Sequence, residues 1–176
     1  MSRLVDQIKQ ALTAFAGLGS QPALIGGLAL AAHRVVRATR DVDFLVDADD
    51  ADRIHDMLLG LGYRCIHRSD DAANYVRGDE GLDMLYARRP IARRLLNEAD
   101  ERETAFGRLR VVSAEGLIAF KLQAHVNDPA RAIDLDDIRA LLEANADTLD
   151  MDEVRRYFAV FDREPMLEAL LEEARR

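Results

Sequence analysis

The chain has no tryptophan, one cysteine, two lysines and four prolines in 176 residues, and each shortage closes off a class of function. Cys65 alone excludes an internal disulfide framework, and one Cys with four scattered His is a poor donor set for zinc. No apolar run reaches the roughly 18 residues needed to cross a bilayer. The start, MSRLVDQIKQ, carries charge where a signal peptide has its apolar stretch. A protein of the reducing cytoplasm, neither exported nor membrane-spanning, is expected. Basic residues are also short, 24 against 32 acidic, for a net charge of -8. That sign is wrong for nonspecific binding of polyphosphate backbones, so any nucleic-acid contact must be local.

What is present suits one compact domain, or a domain with a small appendage: 49% of residues are hydrophobic. Residues 2 to 16 place Leu4, Ile8, Ala11, Leu12 and Phe15 at helical spacing, and Gly17 and Gly19 supply the stop. A short apolar strand, Ala23 to Ile25, ends in Gly26-Gly27, and the Ala- and Leu-rich stretch Leu28 to Val36 favours helix. Asp41 to Val46 predicts a strand, followed by a helix from Asp49 or Asp50 to about Leu59. Short strands are expected at Tyr63 to His67, Asn74 to Arg77 and Leu82 to Ala87, then a helix opened by Pro90 and a strand over Leu109 to Val112. From Ser113 onward the pattern is helical, with starts at Ser113, Asp128-Pro129, Asp150 and Glu164-Pro165. A mixed α/β body over residues 1–128 and an acidic helical segment over 129–176 are therefore expected. From Pro129 onward seven Arg face thirteen Asp and Glu, a net of -6, which concentrates the acidity in that tail.

Chemistry concentrates at Thr39-Arg40-Asp41-Val42-Asp43-Phe44-Leu45-Val46. In a strand, side chains at i and i+2 share a face about 6.5 to 7 Å apart, so Asp41 and Asp43 can converge on a cation while Val42, Phe44 and Val46 turn to the core. Hard divalent cations prefer carboxylate oxygens. Other Asp-x-Asp pairs, such as Asp134 with Asp136 and Asp150 with Asp152, fall at turns or on helices, where Asp caps or is solvated. Asp83 interrupts a second apolar strand. Either it joins Asp41 and Asp43 in a cluster that needs a metal, or it is an edge-strand acid paired with an arginine such as Arg88. Gly26-Gly27, between strand and helix, allows close backbone approach to an anion, or is an ordinary tight turn. Arg37 and Arg40 can neutralise phosphate oxygens, or pair with Asp41 and Asp43. Lys121 lies inside the apolar run Leu117, Ile118, Ala119, Phe120, Leu122, where an ammonium needs an anionic partner. Arg131, Asp134 and Asp137 could supply an ion-pair set for it between neighbouring helices.

The motifs LIGGLALAAH, RATRDVDFLV, LDML, VVSAEGLIAFKLQA and RAIDLDDI follow one another over about residues 20–142. In this order they resemble the nucleotidyltransferase superfamily, specifically small bacterial AbiEii-type and minimal nucleotidyltransferases. The resemblance implies a nucleotidyltransferase-like mixed β-sheet flanked by helices, with a C-terminal helical extension. It implies that Asp41, Asp43 and Asp83 are catalytic and bind two magnesium ions, and that Asp83 completes the site as a proton acceptor. Gly26, Gly27, Arg37, Arg40 and Lys121 would then bind the nucleotide. Where the family often has Gly-Ser this chain has Gly26-Gly27, so a hydroxyl that would contact phosphate or metal-bound water is missing.

The implied reaction moves a nucleoside monophosphate from a triphosphate, ATP among them, to an acceptor hydroxyl on a tRNA, a protein or a small molecule. The setting would be toxin-antitoxin or phage defence, and the acidic tail could dock a protein partner. The alternative is a noncatalytic binding or antitoxin-like module on the same fold, which the missing hydroxyl favours and the three acids oppose.

Overall fold

The computed structural model describes residues 3–174. Its contacts divide the chain into two compact units, one of residues up to Ala32 with Arg37–Val112, the other of His33–Val36 with Ser113 onward. This division and the expected one after Asp128 differ by Ser113–Asp128 and by the short segment His33–Val36, both of which group with the C-terminal helices.

The first unit is built on a seven-stranded mixed sheet in the order β3-β4-β5-β2-β1-β7-β6. Its strands are β1 (Ala23–Ile25), β2 (Asp41–Asp47), β3 (Arg64–Arg68), β4 (Ala72–Arg77), β5 (Glu80–Ala87), β6 (Asp100–Thr104) and β7 (Gly107–Val111). Its helices are α1 (Arg3–Phe15), α2 (Gly26–Ala32), α3 (Ala51–Gly60) and α4 (Pro90–Asn97). β2 lies between β1, antiparallel, and β5, parallel, so both of its edges are paired.

Period-2 alternation sorts the central strands cleanly. Val42, Phe44, Val46, Leu82, Met84, Tyr86, Ala73 and Tyr75 are buried on one face. α1 and α3 cover it: Phe15 meets Phe44 edge-on with ring centroids 6.4 Å apart, and His55 Nδ1 lies 3.0 Å from the Tyr75 hydroxyl. The other face carries Asp41, exposed, and Asp43, Asp83 and Asn74, half-buried, together with the buried Leu45.

Two elements differ from expectation. β6, Asp-Glu-Arg-Glu-Thr, is an edge strand whose side chains are almost all exposed, so it has no apolar alternation to announce it; its pairing with β7 alone makes it a strand. α2 stops at Ala32 instead of reaching Val36, because Arg34 adopts φ 66°, a left-handed conformation that ends a helix.

The second unit comprises α5 (Ala114–Asn127), α6 (Ala132–Ala144), α7 (Met151–Val160) and α8 (Glu164–Ala174). Ser113 caps α5 by accepting from Gly116 N at 3.1 Å, and Asp150 caps α7 by accepting from Asp152 N and Glu153 N at 3.0 and 3.1 Å. Asn145 Nδ2 donates to the His33 carbonyl at 2.9 Å, which ties the short segment His33–Val36 to the end of α6. Among the described residues no helix is long and apolar enough to cross a membrane.

Candidate active site

Strand register assembles the acids. Asp43 is paired with Ile25 of β1 on one side and with Asp83 of β5 on the other, and Asp83 is paired in turn with Asn74 of β4. Register partners project from the same face of a sheet, with strands about 4.8 Å apart. Asp41, two residues before Asp43, sits opposite Gly81 on that same face. The structure thus gathers the three acids, 42 residues apart at the widest, onto two neighbouring strands.

β5 is an interior strand, and Arg88 spends its guanidinium on the Asp70 carbonyl at 3.0 and 3.1 Å, so an edge-strand pair of Asp83 with Arg88 does not form. Asp83 is held instead by Asn74, whose Nδ2 donates to Oδ1 at 2.7 Å. Burial pushes the Asp83 carboxyl above its ordinary range, the Asn74 bond pulls it back, and the nearby Asp41 charge pushes it up again. Like charges set opposite each other on adjacent strands oppose folding unless something offsets them.

Two glycines make room for this acidic face. A methyl group at Gly26 would overlap the Asp43 carboxylate, and one at Gly81 would overlap that of Asp41. Gly26 also has φ 66°, where an L side chain is strained. Gln7, fully buried on α1, donates to the Gly81 carbonyl at 2.8 Å and pins β5 at the level of Asp41.

Around the Gly26-Gly27 turn stand Arg37 and Thr39, both packed on Gly27. Arg40 is exposed and lines, with Arg3, Leu4, Gln7, Thr39 and Glu80, a cleft of about 400 Å³ on the α1 side, which none of the three acids lines. Lys121 belongs to the helical unit. Its ammonium lies 2.9 Å from Asp134 Oδ1 and 2.9 Å from Asp137 Oδ2, both acids being buried on α6, and Arg131 reaches Asp134 Oδ2 at 3.0 Å. The apolar run around Lys121 is thereby explained by an ion-pair set joining α5 to α6.

The donor chemistry of Asp41, Asp43 and Asp83 suits a hard divalent cation, and the bare backbone at Gly26 and Gly81 leaves the carboxylates their space. Among the described residues no three His, Cys, Asp or Glu side chains are already drawn into a closed ligand set. Asn74, Gly81 and Thr39 are the site residues that reading along the sequence passes over. The signal for the first two is cross-strand register, which one strand's pattern does not contain.

Solved structures share this architecture. The solution structure of the antibiotic-resistance factor ANT(2'')-Ia is 20% identical over 97% of both chains, with a TM-score of 0.69. The lincosamide antibiotic adenylyltransferase LnuA, lincomycin-bound, is 16% identical over 80% of this chain and 96% of its own, with a TM-score of 0.55. An antigenic nucleotidyltransferase-like protein from Paracoccidioides brasiliensis is 16% identical over 98% of this chain and 94% of its own, with a TM-score of 0.54. Comparison with curated proteins returns no match. At these identities the likeness speaks for the fold, the mixed sheet flanked by helices. The family profile described as uncharacterised nucleotidyltransferase matches residues 2–176, and the chain belongs to that family of transferases.

Proposed function

We propose that the chain transfers a nucleoside monophosphate from a nucleoside triphosphate to an acceptor hydroxyl, with Asp41, Asp43 and Asp83 as the catalytic acids. The observation that carries this reading is the register Asp43↔Asp83 on β2 and β5, with Asp41 beside them, next to a glycine turn. Asp41, Asp43 and Asp83 would hold divalent cations, two magnesium ions in this reading, whose chemistry is to acidify the acceptor hydroxyl and neutralise the triphosphate.

Asp83, with Oδ1 fixed by Asn74 and its proton affinity raised by burial, is suited to take the acceptor's proton. Gly26 and Gly27 let the triphosphate approach the backbone, and the Arg37 and Arg40 guanidinium groups offset charge on the leaving pyrophosphate. Lys121 enters the reading through the family resemblance alone.

The acceptor is a small hydroxylated molecule in preference to tRNA or protein. A net charge of -8 disfavours a long polyanion, and two solved neighbours are an antibiotic-resistance factor and a lincosamide antibiotic adenylyltransferase. AbiEii-type kinship, a place in toxin-antitoxin or phage defence, a cytoplasmic location and docking of a protein on the acidic tail belong to the same proposal, on the sequence motifs and composition.

Thermal melting with magnesium and each triphosphate, separately and together, tests the reading. Joint stabilisation is expected, up to about 2.7 kcal/mol at a hundredfold excess over Kd, and it should vanish in Asp43→Ala. No joint stabilisation with any triphosphate would leave a noncatalytic module on this fold.

A further inference from the structure

Asparagine is disfavoured in strands, yet Asn74 stands in the middle of β4, an interior strand, between the buried Ala73 and Tyr75. Its same-face neighbours on that strand, Ala72 and Val76, are half-buried and uncharged. An apolar or β-branched residue would suit position 74 better, so the amide needs a reason. Register supplies one: Asn74 lies opposite Asp83, which lies opposite Asp43, and Asn74 Nδ2 donates to Asp83 Oδ1 at 2.7 Å.

The chain holds its withdrawn acids in two different ways. Asp134 and Asp137 each stand 2.9 Å from the Lys121 ammonium, which a metal ion would have to displace. Asp83 is half-buried and makes no ion pair among the described residues; the group that holds it is a neutral amide. An ionised carboxylate only accepts hydrogen bonds, so Asn74 must present Nδ2, and one N–H orients Oδ1 without cancelling the charge. A lysine at 74 would relieve the repulsion between Asp43 and Asp83, but it would hold the carboxylate in place of a divalent cation.

We propose that Asn74 is a positioning residue, which fixes the orientation of Asp83 for a divalent cation while leaving the carboxylate its full charge for that cation. This rests on the transferase reading above, in which Asp83 is a metal ligand.

Manganese titration of the nucleotide-free protein, followed by electron paramagnetic resonance, tests it, with the metal-free melting temperature as the folding control. Asn74→Leu removes the donor at similar size and should weaken manganese binding about tenfold. Asn74→Lys should raise the metal-free melting temperature by roughly 2 °C through a new pair with Asp83, and weaken manganese binding at least as much. In an Asp83→Asn background, Asn74→Leu should change manganese affinity by no more than about twofold, because the carboxylate it serves is gone. The proposal is overturned if the nucleotide-free parent binds no manganese, or if Asn74→Leu or Asn74→Lys binds it as the parent does. An equal loss from Asn74→Leu with and without Asp83 overturns it too, since that is what a merely structural side chain would give. If magnesium and a triphosphate fail to stabilise the parent jointly, the transferase reading falls and takes this inference with it; joint stabilisation with indifferent Asn74 variants overturns this inference alone.

Discussion

Asp83 faces Asp43 across two parallel strands, is partly withdrawn from water, and takes a hydrogen bond from Asn74 at one oxygen. Such a carboxylate weakens the fold that carries it. Asp83→Asn keeps the shape and an oxygen for Asn74 while removing the charge. It should raise stability in the absence of metal by about 0.5–1 kcal/mol and abolish nucleotidyl transfer, which denaturant unfolding and a labelled-triphosphate assay would read side by side. Gly26→Ala should do the opposite to the fold. Its methyl would meet the Asp43 carboxylate in a left-handed backbone, at a cost of roughly 1–2 kcal/mol or more. Circular-dichroism melting of that variant checks the direction. Asp41, Asp43 and the glycine turn are legible in the sequence because their spacing lies within one strand or one bend. Asn74, Gly81 and Thr39 are not, since each acquires its meaning from a residue on another element: Asp83, Asp41 and Gly27.

Between elements, the joint of α5 and α6 is an ammonium clasped by two buried acids. Asp134 is fully buried and Asp137 nearly so, which makes Lys121 their chief compensation. Lys121→Met should cost about 3–5 kcal/mol because it leaves carboxylates buried without that partner. Adding Asp134→Asn and Asp137→Asn should recover part of the loss. Guanidinium unfolding of the three proteins decides this; an undisturbed Lys121→Met would refute a structural role for the pair. The need for a partner was visible from an ammonium inside an apolar run, and Asp134 and Asp137 were visible at helical spacing. The sheet shows where such legibility stops. Alternation reveals β5 because one face is buried, but β6 buries little on either face, so its five charged and polar residues carry no strand signature until β7 lies beside them.

Over the whole molecule, a charge of -8 opposes the approach of a triphosphate, while Arg37 and Arg40 act only nearby. Raising ionic strength from about 0.01 to 0.15 M shortens the screening length from roughly 30 to 8 Å. The triphosphate association rate should therefore rise with added salt at fixed magnesium. A falling rate in stopped-flow measurements would mean that the local arginines dominate the encounter. The sheet-then-helices order of the chain could be seen from periodicity alone, but the membership of His33–Val36 could not, because it depends on Asn145 reaching back 112 residues to the His33 carbonyl. That detour has a price for anyone who would trim the protein. Ending the chain after Val112 would spare every acid of the sheet, yet it would delete Asn145 and leave the His33 carbonyl, which begins the segment His33–Val36, without that donor.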